Sequence, residues 1–375
     1  SRETIMNEKQ YSRRGCLSTA AAGGLGALAA VGAQPVQAAP NRLPVVKIAG
    51  YAYDRVRAIQ DGRLGLEDFD VRFHSEDIYS LNRQLFGPER TYEVSETGLI
   101  PYVTRFANED FRAYTLIPVF ISRTFRHRNI FVHTDSGIEK PEDLRGRRVG
   151  TPGYGMSSHT WIRGFLQDVH GVKPDEMQWI ETTKSSDGGK LNSGFAKYFF
   201  PKDFPITKGP EGVDESELLI SGKADALITA IEPRAYIEGN PKIRRLFPNV
   251  RAVEKEYYKK TNVFPIMHVV AVRKDFADAN PSLPKALFRM YSQAKQVAYD
   301  DLEAAEVLKI TLPWVNHELE DTRTLMGDNF WPYGVKANRR ELDLVMRYTY
   351  EQGLAKRRVE VDEIFHPATL DLTFD

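Results

Sequence analysis

Cysteine is almost missing from this chain: Cys16 stands alone among 375 residues. A single thiol can neither close an internal disulfide nor build a multi-thiolate metal site. Long apolar runs are missing too, since none reaches the ~18 uninterrupted residues of a membrane span. Neither sign of charge is in excess, with 51 basic and 51 acidic side chains. A nucleic-acid-binding surface shows as a basic surplus, so nucleic acid is excluded as an expected partner. The eight histidines are scattered, with no His-x-x-x-His or His-Glu-x-x-His pair. His127 and His133, six apart, suit neither a strand nor a helix, so neither a metal nor any other cofactor is expected.

What is present suits a globular protein. Hydrophobic residues make up 42% of the chain, and at about 150 residues per domain the length predicts two domains. The first forty residues stand apart. Ser12-Arg13-Arg14-Gly15-Cys16-Leu17 leads into an Ala/Gly-rich stretch, and Val36-Gln37-Ala38 supplies small residues for cleavage. This is the layout of a secretory signal. The arginine pair resembles a twin-arginine export signal, with Cys16 where the usual pattern carries Phe. The expectation is a removable segment over 1–38 and a periplasmic product, or a cytoplasmic one if the signal is not used. Cleavage after Ala38 would leave 47 basic and 49 acidic residues and no cysteine.

Beyond that segment, short apolar or alternating runs and helical patterns take turns. PVVKIAG, FDVRF and the residues around Tyr92–Val94 read as strands, separated by helices over 54–60 and 78–86. Ser95-Glu96-Thr97-Gly98 reads as the exit from the third strand into a helix ending near Asn108. A second set of strands and helices begins near residue 140, MHVVAVRKDF reads as a return strand, and the remainder reads as helical. This alternation predicts an α/β fold with largely parallel sheets. KSSDGGKLNSG, 184–194, reads as a loop with lid character.

Gly150 to Gly155 followed by Ser157 fits G-x-x-x-x-G-x-S, but Met156 occupies the place where a phosphate loop needs lysine. Nucleotide binding is therefore not expected. The remaining physics survives: a glycine turn opening a helix at Ser157 and Ser158 presents free N–H groups and a positive dipole end. A carboxylate suits that seat as well as a phosphate does. Either serine could equally serve as the helix N-cap.

Several long segments carry a resemblance: KIAGYAYDRVRA, EDIYSLNRQLFGPERTYEVSETGLIPYVTRF, FRAYTLIPVFISRTFRHRNIFVHTDSGIEKPEDLRGRRVGTPGYGMSSHTWIRGFL, WIETTKSSDGG, FPIMHVVAVR and GDNFWPYG. Together they resemble the 4,5-dihydroxyphthalate decarboxylase family over nearly the whole chain after the signal-like segment. The resemblance implies a two-lobe fold like that of type II periplasmic binding proteins, with a ligand cleft between lobes. One lobe would comprise 39–135 and 268–375, the other 136–267. It implies a small aromatic dicarboxylate as ligand. Two functions share such a scaffold: a cofactor-free decarboxylase, or an exported receptor that hands an aromatic carboxylate to a transporter.

A dianionic ligand calls for cations. Ser122 to Asn129 offers Arg123, Arg126, His127 and Arg128. On a strand, Arg126 and Arg128 would share one face, Arg123 and His127 the other. Arg123 and Arg126 are candidate carboxylate ligands through their forked donors; a basic strand facing solvent or pairing with acids is the alternative. Loss of CO2 requires a proton on the vacated ring carbon, and histidine titrates in the right range. His127, His159 and His268 are the candidates. His159 lies in the first turn of its helix, whose positive end would lower its pKa; His268 begins an apolar strand. Glu96 is a candidate base to a hydroxyl, or an acceptor of a local backbone bond. Glu232 and Arg234 hold the matching place in the second half. Tyr51, Tyr53 and Tyr154 could stack on the ring. GDNFWPYGV reads as a packed corner supporting the cleft.

Overall fold

The computed structural model describes residues 43–184, 206–304 and 306–374. The signal-like segment with Cys16 lies outside the described residues, as does the loop 184–194 apart from Lys184.

Two sheets organise the described chain. The first contains β1 (Val45–Gly50), β2 (Asp70–Ser75), β3 (Val94–Gly98), β4 (Tyr114–Arg123) and β11 (Ile266–Arg273), in the order β2-β1-β3-β11-β4. The second contains β5 (Ile130–His133), β6 (Arg148–Thr151), β7 (Gln178–Glu181), β8 (Ile206–Lys208), β9 (Ala226–Ile228) and β10 (Ile243–Arg245), in the order β10-β5-β9-β6-β7-β8. β1 runs parallel to β2 and β3, and β6 runs parallel to β7 and β9. The returning β11 is antiparallel to β3 and β4.

The helices that matter for the site are α1 (Asp54–Gln60), α2 (Ile78–Phe86), α3 (Leu99–Asn108) and α4 (Ser157–His170). They are followed by α5 (Glu215–Ile220), α6 (Arg234–Ile237), α7 (Val250–Thr261), α8 (Lys274–Ala279), α9 (Leu283–Glu303), α10 (Val315–Met326) and α11 (Arg339–Glu351). Local chemistry sets several ends. The Asp77 carboxylate accepts from the N–H groups of Tyr79 and Ser80 to start α2. Asp214 and Glu217 form a capping box on α5. Gly171, left-handed at φ 66°, ends α4.

The core follows from burial of nearly every side chain on the central strands. Val269, Val270, Ala271 and Val272 are fully buried, as expected for a strand with neighbours on both edges and helices on its faces. Burying one valine or leucine contributes about 1.5–3 kcal/mol, so this strand anchors the first sheet. Gly164 lets α4 approach α11: a Cβ there would lie 2.3 Å from Tyr348.

Two segments link the sheets, 124–129 between β4 and β5, and 262–265 between α7 and β11. They hydrogen-bond to each other, the Thr124 N–H donating to the Pro265 carbonyl at 3.2 Å. Three local readings change. The Ser95-Glu96-Thr97-Gly98 stretch is strand, because Thr97 and Glu96 pair with Val269 and Val270 on β11; tertiary pairing overrides the turn-like composition. β11 ends at Arg273, where α8 begins. His127–Asn129 is a 3-10 turn, so the alternating-face argument for Arg123, Arg126, His127 and Arg128 fails.

Candidate active site

Glu96 and His268 meet where β3 lies against β11. Register places His268 opposite Gly98, two residues from Glu96. The Glu96 carboxylate is buried, and its Oε1 lies 2.5 Å from His268 Nδ1. Two further donors converge on it: the Tyr53 hydroxyl on Oε1 at 2.8 Å and the Tyr51 backbone N–H on Oε2 at 2.9 Å. Gly50 makes this approach possible, since a Cβ there would stand 3.0 Å from Oε2. A buried carboxylate needs such compensation.

The imidazole is the outer member of this pair, with its side chain 18% exposed while that of Glu96 is sealed. Pairing of β11 with β4 shifts register on both sides of His268, an irregularity of the kind that re-aims a side chain next to functional sites. The Tyr51 ring lies stacked on His268, with centroids 6.4 Å apart. Burial, then the Glu96 charge, pushes the Tyr53 hydroxyl well above the ordinary tyrosine range, so it stays a donor. The Tyr51 hydroxyl is raised as well, first by burial, and accepts from the Ile78 N–H at 3.0 Å. Arg55 lies between the Tyr53 and Trp331 rings, 4.1 Å and 4.2 Å from their centroids.

Two helix starts adjoin this pair. The Ile100 N–H at the start of α3 donates to Ser157 Oγ at the start of α4, at 3.3 Å. A Cβ on Gly98 would lie 3.6 Å from the same oxygen. Trp161, one turn along α4, donates to the Ile266 carbonyl of β11 at 2.8 Å. Neither serine is the N-cap, which is Met156 without a side-chain bond; Ser157 and Ser158 are the first two helical residues, both buried. The first-turn N–H groups of α4 therefore open beside β3 and β11.

The other candidates are placed differently. Arg123 is buried and all five of its N–H donors have acceptors: the carbonyls of Phe264 and Pro332, Asn338 Oδ1 and Glu341 Oε1. Its ion pair with Glu341, at 2.9 Å, is internal. His127 sits in an aromatic box, stacked on Phe165 at 4.1 Å and bounded by Phe247 and Tyr257. Burial pushes its pKa down to about 3. His159 is completely buried with Nδ1 against the Gly153 carbonyl. Its pKa is also lowered to about 3, first by burial, with Arg163 and Arg126 adding to the shift.

Arg126 donates to the Ala230 carbonyl at 3.0 Å, and burial holds its pKa down at about 10. Glu232 accepts from Arg128 at 2.6 Å and from Arg245, which keep its carboxyl below the usual range. Arg234 pairs with Asp214 and Glu238, each at 3.4 Å. Tyr154 is a core residue, its ring between Trp179 at 5.4 Å and the Arg163 guanidinium at 3.6 Å. The 327–335 segment is a packed corner: Asn329 and the Trp331 carbonyl hold the buried Lys295, and Trp331 Nε1 donates to Phe120 O. Among the described residues, no group of three or more His, Cys, Asp or Glu is arranged to hold a metal ion, and no helix is long and apolar enough to cross a membrane.

Known proteins match this chain over most of its length. It is 34% identical over 328 residues to a 4,5-dihydroxyphthalate decarboxylase of Comamonas testosteroni, covering 87% of this chain and 97% of that protein. The chain belongs to the 4,5-dihydroxyphthalate decarboxylase family. A second family member, from Pseudomonas putida, is 30% identical over 214 residues, covering 57% of this chain and 81% of that protein. A family model described as NMT1/THI5 like matches residues 120–197.

Solved structures place this decarboxylase-family chain in the two-lobe fold of periplasmic binding proteins. The periplasmic sulfonate-binding protein SsuA of Methylobacillus flagellatus KT aligns over 87% of this chain and 92% of its own, with a TM-score of 0.51 at 16% identity. A cysteine-to-serine mutant of the desulfurization enzyme DSZB in complex with biphenyl-2-sulfinic acid aligns over 88% and 98%, with a TM-score of 0.50 at 15% identity. These likenesses bear on fold alone.

The residues that support the site carry no local signal in this decarboxylase-family chain. Arg163, Glu341, Asn338 and Gln352 are buried polar residues; Arg163 lies four residues after His159, but Asn338, Glu341 and Gln352 lie 70 or more residues beyond His268, the nearest candidate, and only the fold unites them. Arg163 links α4 to the C-terminal region, donating to Gln352 Oε1 at 2.8 Å and to the Tyr154 carbonyl at 2.5 Å.

Proposed function

We propose that this chain decarboxylates 4,5-dihydroxyphthalate, or a closely similar aromatic ortho-dicarboxylate, to a dihydroxybenzoate and CO2, with His268 as the proton donor. The observation that carries the assignment is the 2.5 Å contact between Glu96 and the partly exposed His268. A carboxylate on Nδ1 fixes the tautomer and orientation of the ring, leaving Nε2 as the group that meets substrate.

The reaction balances without a redox partner. The imidazolium proton forms a C–H bond at the ring carbon that bears the departing carboxylate. The hydroxyl para to that carbon supplies electron density for this step. The C–CO2 bond then breaks, its electron pair restores the aromatic ring, and CO2 leaves. His268 is left neutral and regains a proton from solvent. The retained carboxylate is held by the first-turn N–H groups of α4 at Ser157 and Ser158, where the helix dipole favours an anion. Tyr51, stacked on His268, supplies an aromatic wall.

The test is turnover. Purified protein incubated with 4,5-dihydroxyphthalate is followed by the ultraviolet change that accompanies loss of one carboxyl group, beside His268→Gln. Turnover by the native chain and its loss in the variant support the assignment; equal rates in both remove His268 from the chemistry.

The twin-arginine-like segment favours a second reading, an exported periplasmic receptor that passes an aromatic carboxylate to a transporter. Saturable binding without product at any pH between 5 and 9 would support it, and fractionation of cells expressing the chain tests the export it requires.

A further inference from the structure

One edge of the second sheet carries polar groups that the Glu96–His268 pair leaves unused. Arg126 Nε, Asn129 Oδ1, His159 Nε2, Thr182 Oγ1 and Thr229 Oγ1 are buried atoms with no hydrogen-bond partner among the described residues. The topology brings them to the same end of the second sheet. Asn129 immediately precedes β5, Thr229 follows β9 and Thr182 follows β7, while β6 lies between β9 and β7. Backbone bonds tie the row together: Thr229 N–H to Asn129 O at 3.2 Å, and Thr182 N–H to Thr151 O at 3.0 Å. Arg126 is fixed to Ala230 O, the residue after Thr229, and His159 to Gly153 O, two residues beyond β6. Asn129, His159, Thr182 and Thr229 are each more than nine-tenths buried.

Buried polar atoms are almost always paired, so several along one edge call for a ligand group. The row stands at the carboxyl ends of the parallel strands β6, β7 and β9, where open α/β sheets bind ligands. The chemistry of the atoms narrows the class. A carbonyl only accepts, so His159 Nδ1 carries the proton toward Gly153 and His159 Nε2 is an acceptor. Asn129 Oδ1 also accepts, Arg126 Nε donates, and the two threonine hydroxyls do either. A carboxylate could answer Arg126 but has no proton for His159 or Asn129. A hydroxyl donates and accepts, and so fits the whole set.

We propose that this edge is the hydroxyl-recognition subsite, taking the two adjacent ring hydroxyls of the substrate. The assignment rests on the ligand class given above and sets its orientation: hydroxyls on the second sheet, carboxylates toward His268 and the helix starts. His159 is then a substrate-binding acceptor rather than the proton donor to carbon.

The test compares 3,4-dihydroxybenzoate with benzoate, which differ only in the two hydroxyls, by calorimetry on the native chain, Thr229→Val and Thr182→Val. The native chain binds the dihydroxy compound at least tenfold more tightly. Each valine variant reduces that preference by roughly three- to tenfold and leaves benzoate affinity unchanged. Thr229→Ser retains the preference, and thermal melts check that each variant is folded. Equal affinity of the native chain for both compounds, no binding of either, or equal weakening of both by the valine variants overturns the subsite. Discrimination without CO2 release from 4,5-dihydroxyphthalate would remove the decarboxylase reading and leave the subsite standing; release without discrimination would do the reverse.

Discussion

Glu96 Oε1 stands 2.5 Å from His268 Nδ1, joining residues 172 apart in the chain. The Tyr53 hydroxyl and the Tyr51 N–H bond the same carboxylate and hold in place the group that orients the imidazole. Replacing His268 by Gln should lower kcat by about 10²–10⁴-fold, the range of general acid catalysis, with a smaller change in KM. Tyr53→Phe removes one donor from Glu96 and should cost roughly three- to tenfold in kcat/KM. Steady-state kinetics separates the two effects.

At Gly50 an added Cβ would lie 3.0 Å from Glu96 Oε2. Gly50→Ala should push the carboxylate off its place and lower kcat while the fold remains intact by circular dichroism. An unchanged kcat would show that the carboxylate can shift without consequence.

Arg123 is a structural cation by its geometry, because each donor already has an acceptor and its carboxylate partner Glu341 is buried beside it. Arg123→Met leaves that acid without its charge partner and should destabilise the fold by about 3–5 kcal/mol. Denaturant unfolding measures this. A normal unfolding midpoint with a raised KM would instead mark Arg123 as a substrate ligand.

His127 and His159 both have folded-state pKa values lowered to about 3, from 6.5. The unfolded chain therefore binds more protons below 6.5. The stability that follows from keeping both rings neutral is fully present above about pH 6.5 and is lost as pH falls toward 3. Each ring contributes a slope of up to about 1.4 kcal/mol per pH unit in that window. Replacing His127 by Phe, which suits its aromatic box, should flatten the acid limb of a melting-temperature profile. An unchanged limb would show that His127 is already protonated in the fold.

Much of the architecture was legible because it depends on local pattern. The strands at 45–50 and 70–75 and the helices at 54–60 and 78–86 follow from apolar spacing and turn residues. Glu96 and His268 were each visible as candidates, but nothing local joins them; antiparallel pairing of β3 with β11 does. Arg123 read equally well as a ligand or as a paired cation, since its acid lies 218 residues away. Thr182, Thr229 and Asn129 gave no signal, because an unpaired buried hydroxyl or amide is a property of packing, not of sequence. The turn at His127–Asn129 broke the face assignment because the chain leaves one sheet there for the other.

The most direct measurement is turnover of 4,5-dihydroxyphthalate in D2O, with the product examined by mass spectrometry and proton NMR. Proton delivery from His268 to the vacated carbon predicts a dihydroxybenzoate carrying one deuterium at that position, formed about 10²–10⁴-fold more slowly by His268→Gln. Undiminished formation of the deuterated product by the variant, or no product from the native chain, would contradict it.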